Sequence, residues 1–225
     1  MNNRSIFIAA SVFMFSMIVS LVDAVIHPPY AAKIPIKILF FFILPMVFFM
    51  ANKADFYEFR KLFLLKKSGI LKALLLGAVL YTVILLGYFL TRGFIDFSNV
   101  TPSLTEGMGI TAGNFLYVSL YISLVNSFLE EFFFRGYGFI TLKKYTGRKF
   151  AYIFSSSIFA VYHVGMLLGM FHIGVLFLLL LGLMIGGCIF NCLNERNDTI
   201  YPSWFVHMFA NFGINTVGFI LFGVL

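Results

Sequence analysis

The chain has 225 residues, of which 61% are hydrophobic and only 11% are charged, and its mean hydropathy is +0.98. A soluble domain of this length cannot bury so much apolar surface, so the composition excludes a soluble enzyme and indicates several membrane-spanning segments. The net charge of +7 does not indicate nucleic acid as a partner, because the basic residues lie in short connections between apolar runs. Cys188 and Cys192 alone complete no metal site, and they indicate packing instead.

Seven apolar segments are long enough to cross a membrane, since a hydrocarbon layer of about 30 Å needs about 20 helical residues. They are residues 5–26, 34–51, 69–90, 113–140, 150–170, 172–193 and 202–224. The fifth and sixth are almost contiguous, and an eighth, short segment is an alternative count. The predicted fold class is all-α, a polytopic transmembrane bundle of about seven helices, with residues 1–225 in a single transmembrane domain.

The connections between segments predict the orientation in the membrane. Residues 53–67 contain five Lys or Arg, and residues 142–149 contain four with no acid. Residues 93–112 contain Asp96 and Glu106 but no basic residue. Cytoplasmic loops carry an excess of Lys and Arg, so the basic connections and the N-terminus are predicted to be cytoplasmic. We therefore predict a multi-pass protein integral to the cell membrane.

The charged side chains in the fourth segment are its most informative feature. Glu130, Glu131 and Arg135 lie inside an apolar run, where each charge at the bilayer centre costs at least about 2.5–3.5 kcal/mol. Glu131 and Arg135 are four residues apart, so they share a helix face and are predicted to form an ion pair. Glu130 points about 100° away from Glu131. It is expected to lack a partner on its own helix, although Asn126 lies one turn earlier on its face.

Two later segments carry polar residues at helical spacing. Phe159 and His163 share a face of the fifth segment, and His207 and Asn211 share a face of the seventh. A single buried histidine is more often structural than functional. Measured from the predicted cytoplasmic ends at about 1.5 Å per residue, however, Glu130, His163 and His207 reach similar depths. We therefore predict one catalytic cavity in the cytoplasmic half of the membrane.

These residue types suit hydrolysis. A carboxylate beside an imidazole can deprotonate water, and a second imidazole with an amide can donate hydrogen bonds to a developing oxyanion. No cofactor and no covalent nucleophile are required, and no Gly-x-Ser-x-Gly motif is present. Alternatively, Glu130, His163 and His207 are three ligands for a catalytic zinc. No His-Glu-x-x-His motif occurs, and the metal-free site is the preferred interpretation.

The motifs together resemble the CPBP family, also called the Abi or CAAX-protease-like family. The resemblance covers residues 113–215, somewhat under half the chain. This family includes type II CAAX prenyl endopeptidases and bacteriocin-immunity relatives. The motifs that carry the resemblance are Glu130-Glu131-x-x-x-Arg135-Gly136, Phe159-x-x-x-His163 and His207-x-x-x-Asn211.

The resemblance implies an intramembrane glutamic endopeptidase that acts on a membrane-bound peptide or protein within the lipid bilayer. By position, Glu130 and His163 would activate water, and His207 and Asn211 would stabilise the oxyanion. Supporting roles would fall to Glu131, Arg135 and Phe159. Residues 113–215 would then form the catalytic core, and residues 1–112 would control substrate access.

A second hypothesis is a non-catalytic membrane partner, such as a bacteriocin self-immunity protein or a modulator of a membrane sensor. The two hypotheses differ in their dependence on Glu130. A peptidase requires its carboxylate, whereas a binding protein tolerates Glu130→Gln.

Overall fold

The computed structural model describes residues 2–51 and 53–225, and these form nine helices with short connections and no strand. The helices are α1 (Asn3–Ile26), α2 (Tyr30–Ala51), α3 (Lys53–Leu62), α4 (Lys67–Thr91), α5 (Val100–Met108), α6 (115–146), α7 (Arg148–Leu167), α8 (Ile173–Asn197) and α9 (Tyr201–Leu221). The predicted all-helical class is therefore confirmed.

Six of the helices in these described ranges are long and apolar enough to cross a membrane, namely α1, α2, α4, α7, α8 and α9. A helical membrane bundle was predicted, and the architecture confirms it. The predicted fourth segment corresponds to α6, which is not among the six. Every residue from 131 to 141 of α6 is buried. This part of α6 therefore lies in the interior of the bundle with other helices around it, whereas residues of its first half such as Tyr117 and Leu124 are exposed.

Three consecutive phenylalanines explain why α6 lies in the interior. Phe132, Phe133 and Phe134 are all fully buried, although successive residues of a helix point in different directions. Phe133 stacks on Phe41 of α2 with ring centroids 4.2 Å apart, and Phe134 meets Phe159 of α7 edge to face at 5.3 Å. Because the three rings pack in different directions, α6 needs neighbours on several sides.

The winding of α6 departs from a regular α-helix over residues 122–126 and 131–141, where the turns are π-helical. The hydroxyl of Thr141 donates to the carbonyl of Gly136, five residues earlier, at 2.9 Å. Such widened turns are rare in proteins, and those that occur are often found at functional sites. The longer π-helical stretch begins at Glu131, the second of the two predicted site carboxylates.

Two connections that were expected to be loops contain the short helices α3 and α5. Glu58 of α3 pairs with Lys144, in the last turn of α6, at 2.8 Å, and a hydrogen bond from Lys144 lowers the pKa of Glu58 below its ordinary value. Arg4 lies 3.5 Å from Asp55 of α3. The N-terminus and both basic connections therefore lie at one end of the bundle, as predicted, and the side of the membrane that this end faces stays a prediction. The side chains of Lys53 and Lys67 lie outside the described part.

Glycine packing identifies close contacts between helices. A Cβ at Gly165 would overlap the backbone of Ser20, and the Gly165 amide donates to the Ser20 hydroxyl at 3.2 Å. A Cβ at Gly187 of α8 would meet Ser156 of α7 at 3.1 Å. By contrast, nothing lies within 4 Å of a Cβ at Gly182. Close approach at Gly165 and Gly187 lets α7 pack tightly against α1 and α8.

We expect Gly165→Ala to lower the free energy of unfolding by about 1–3 kcal/mol, because α1 and α7 must separate to admit the methyl group. Thermal unfolding of the purified protein in detergent measures this. Gly182→Ala is the matched control, and it should be neutral or stabilising by up to about 1 kcal/mol through helix propensity. Equal losses in the two variants would contradict the close contact.

Candidate active site

Three predicted site residues from three helices meet inside the bundle. Glu130 extends from α6, His163 from α7 and His207 from α9. The Nε2 atoms of His163 and His207 lie 3.9 Å and 3.8 Å from the same carboxylate oxygen, Oε2 of Glu130. The side chains of Glu130, His207 and His163 are 3%, 7% and 13% exposed. The structure thus assembles a buried carboxylate between two imidazole rings.

This cluster lies near the middle of the bundle. Glu130 is about midway along α6, which spans residues 115–146. His207 is in the second turn of α9, whereas Lys37, which also contacts Glu130, is in the second to third turn of α2. Because α2 and α9 begin at opposite ends of the bundle, the site is about equally far from both ends. The structure contains no membrane, so the predicted place of the site in the cytoplasmic half stays a prediction.

The Nδ1 contacts of both histidines determine what Nε2 can do. The Nδ1 of His163 lies 2.7 Å from the backbone carbonyl of Phe159, which can only accept a hydrogen bond. The Nδ1 of His207 lies 2.9 Å from Oε1 of Glu131, a carboxylate oxygen. In a neutral imidazole with Nδ1 protonated, Nε2 carries a lone pair. Neutral rings would therefore present two acceptors toward Glu130, and either ring donates from Nε2 only when it carries both protons.

Glu131 connects His207 to the interior of the bundle. Its carboxylate forms hydrogen bonds with Nδ1 of His207 and with the Ser203 hydroxyl, both on α9. It also lies 3.4 Å from Arg135 on its own helix. The predicted Glu131–Arg135 ion pair is therefore present. Glu131 also has a second function in the structure, because its contact with His207 fixes the orientation of the ring that faces Glu130.

Aromatic rings surround the buried guanidinium of Arg135. Its central carbon lies 3.9 Å from the ring centroid of Phe159 and 5.0 Å from that of Phe190. Cation–π attraction strengthens when both partners are removed from water. Phe159 also meets His163 and His207 edge to face, with centroids 4.8 Å and 5.9 Å away. Phe159 thus contacts the cation and both imidazoles, and its supporting role at the site stays a prediction.

Asn211 lies one turn after His207 on α9. Its side-chain amide donates to the backbone carbonyl of Ile122 in α6 at 3.2 Å. An amide group has two N–H donors, so the second one is not used by this bond. The structure therefore places Asn211 beside the cluster but ties it to α6, and its predicted role at the oxyanion is not tested by this geometry.

Residues 112–213 match the family model of the Rce1-like type II CAAX prenyl endopeptidases. This part of the chain is similar to that family, and we call it the Rce1-like region. The resemblance drawn from the three motifs is thereby confirmed at the level of the family. No curated protein and no solved structure matches the chain. The Rce1-like region contains Glu130, His163 and His207, and it excludes all of α1–α5.

Sequence reasoning missed a cation outside the Rce1-like region. The ammonium group of Lys37 on α2 lies 3.6 Å from Oε1 of Glu130 and donates to Asn126 at 2.9 Å. Asn126 in turn donates to Glu130 at 2.8 Å, so the expectation that Glu130 lacks a partner on its own helix was wrong. The hydroxyl of Tyr162 also donates to Glu130, at 3.1 Å. A lysine inside an apolar segment is itself a signal for a buried acidic partner, which could have pointed to Lys37.

Zinc fits this arrangement poorly. Within residues 2–51 and 53–225, no group of three or more His, Cys, Asp or Glu side chains is arranged to hold a metal ion. Lys37 beside Glu130 would also repel a dication.

We expect Arg135→Met to destabilise the protein by about 3–5 kcal/mol, because it leaves the Glu131 carboxylate buried without its cation. The double variant Glu131→Gln/Arg135→Met should recover part of this loss. Thermal unfolding in detergent measures both, with the exposed Arg92→Met as a control expected to change stability by less than about 0.5 kcal/mol. A double variant less stable than Arg135→Met would contradict the proposed charge compensation.

Proposed function

We propose that the protein is an intramembrane endopeptidase that hydrolyses a peptide bond of a membrane-associated peptide or protein. The observation that carries this proposal is the approach of two imidazole Nε2 atoms to one oxygen of the buried Glu130. The match of residues 112–213 to Rce1-like endopeptidases supports it. An intramembrane carboxylate that faces histidines is a functional site by default, since its burial is costly.

In this proposal Glu130 and His163 activate the attacking water. A water between Oε2 of Glu130 and Nε2 of His163 donates one hydrogen bond to each, which is possible because both atoms are acceptors when the ring is neutral. The water oxygen then attacks the peptide carbonyl, and its proton passes to Glu130. The same carboxyl group delivers the proton to the departing amine, so the base is regenerated without a covalent intermediate.

His207 and Asn211 stabilise the oxyanion that forms on the carbonyl oxygen. His207 can donate from Nε2 only as an imidazolium, in which Nδ1 donates to the Glu131 carboxylate at the same time. Asn211 contributes the amide N–H that its bond to Ile122 leaves unused. Donors fixed in a buried site act without reorganisation during the reaction, which makes them effective.

We expect Glu130→Gln to lower kcat by about 10²–10⁴-fold, the usual contribution of a general base, and His163→Ala to lower it comparably. The assay uses purified protein in detergent with two internally quenched peptides, one ending in a prenylated CAAX sequence and one unmodified and membrane-inserting. Glu106→Gln is the matched control, since Glu106 is an exposed carboxylate on α5, and it should leave kcat unchanged. Full turnover by Glu130→Gln would overturn the catalytic role and favour the non-catalytic membrane partner.

The same assay tests zinc. Because the residues fit a metal poorly, cleavage should continue at an unchanged rate in the presence of a membrane-permeable chelator such as 1,10-phenanthroline. Loss of cleavage on chelation, with recovery on adding zinc, would instead support the three-ligand alternative.

A further inference from the structure

The two oxygens of the Glu130 carboxylate have different surroundings. Oε1 accepts a hydrogen bond from the side-chain amide of Asn126 at 2.8 Å and another from the hydroxyl of Tyr162 at 3.1 Å. The ammonium of Lys37 lies 3.6 Å from the same oxygen. Oε2 faces the Nε2 atoms of His163 and His207 at distances too long for hydrogen bonds. One oxygen therefore accepts hydrogen bonds from two helices and lies near a cation from a third, and the other is open to the position between the imidazoles.

Lys37 controls this asymmetry through Asn126. Its ammonium donates to Oδ1 of Asn126 at 2.9 Å, and only a donor can satisfy that oxygen. The Asn126 amide is therefore turned so that its nitrogen points at Glu130. Lys37, Asn126 and Glu130 are all buried, at 6%, 5% and 2% exposure, so water does not compete for these bonds.

A neighbouring lysine shows that this contact is selective. Lys33 lies one turn before Lys37 on α2, is equally buried, and pairs with Asp23 of α1 at 2.8 Å. A buried ammonium needs a carboxylate partner, and Asp23 is already taken. The cation at Lys37 is thereby directed to Glu130. The ring of Tyr162, 5.4 Å from the ammonium, completes its surroundings.

We infer that Lys37 is a positioning residue of the proposed active site, which holds Asn126 and, with Asn126 and Tyr162, fixes Oε1 of Glu130 so that Oε2 is presented to the attacking water. This inference rests on the proposed function. It assigns a role at the site to α2, which lies outside the Rce1-like region. Misplacement of a catalytic group by about 1 Å costs about 10²-fold in rate, so the anchor should act on kcat.

The kinetic test compares Lys37→Met with Lys33→Met in the peptide assay. Lys37→Met should lower kcat by about 10²-fold with KM nearly unchanged, whereas Lys33→Met should keep kcat within a few-fold of wild type at a comparable loss of thermal stability. Lys37→Gln retains an N–H donor for Asn126 and should recover part of kcat. Equal losses of kcat in the Met variants, or no recovery in Lys37→Gln, would reduce Lys37 to a structural residue.

A double-mutant cycle tests whether Lys37 acts on Glu130 through Asn126. If it does, Lys37→Met/Asn126→Ala should be little slower than Asn126→Ala alone. Additive losses would overturn this route. Tyr162→Phe removes one hydroxyl from Oε1, carries little risk of misfolding, and should lower kcat without raising KM. An unchanged kcat in Tyr162→Phe would count against anchoring at Oε1.

A measurement without substrate separates this inference from the proposed function. In protein labelled with ¹⁵N-asparagine, the side-chain amide signal of Asn126 is identified by its loss in Asn126→Ala. We expect Lys37→Met to shift or broaden that signal and Lys33→Met to leave it in place. An unmoved signal in Lys37→Met would overturn the anchor even if peptides are cleaved. If the signal moves in Lys37→Met but the wild-type protein cleaves neither peptide, the positioning role of Lys37 stands and the proposed peptidase function is refuted.

Discussion

The structure depends on the compensation of two adjacent carboxylates buried inside an apolar bundle. Glu130 and Glu131 are nearly inaccessible, and an isolated charge there would cost several kcal/mol. Each has its own cation, Lys37 from α2 and Arg135 from α6. This requirement explains why α6 runs through the interior and why α2 packs against it. A helix that carries these groups is stable only where other helices bring matching polar groups to it.

The two carboxylates differ in how completely their neighbours satisfy them. Glu131 is saturated, because Arg135, Ser203 and His207 all approach it. Glu130 keeps one oxygen without a hydrogen bond, and that oxygen lies between two imidazoles. A saturated carboxylate orients its neighbours, whereas one with a free oxygen can still take a proton. In the proposed function the adjacent positions in sequence therefore serve positioning and chemistry separately, and the π-helical winding after Glu130 accompanies this division.

Local spacing could be read from the sequence, whereas contacts between distant helices could not. The Glu131–Arg135 pair follows from a separation of four residues on one helix, and the joint approach of His163 and His207 to Glu130 follows from their similar depth. The contact of Lys37 depends on how α2 packs against α6, which no periodicity encodes. The short helices α3 and α5 were missed for another reason, because their polar composition resembles that of a loop as much as of an interfacial helix.

The Lys37 contact also changes how the first half of the chain should be viewed. If residues 1–112 only admitted the substrate, Glu130 would have no counter-charge except the histidines. Lys37 of α2 supplies a counter-charge to Glu130 that comes from neither histidine. Under the proposed function, the chemistry of the Rce1-like region thus depends on a helix outside it.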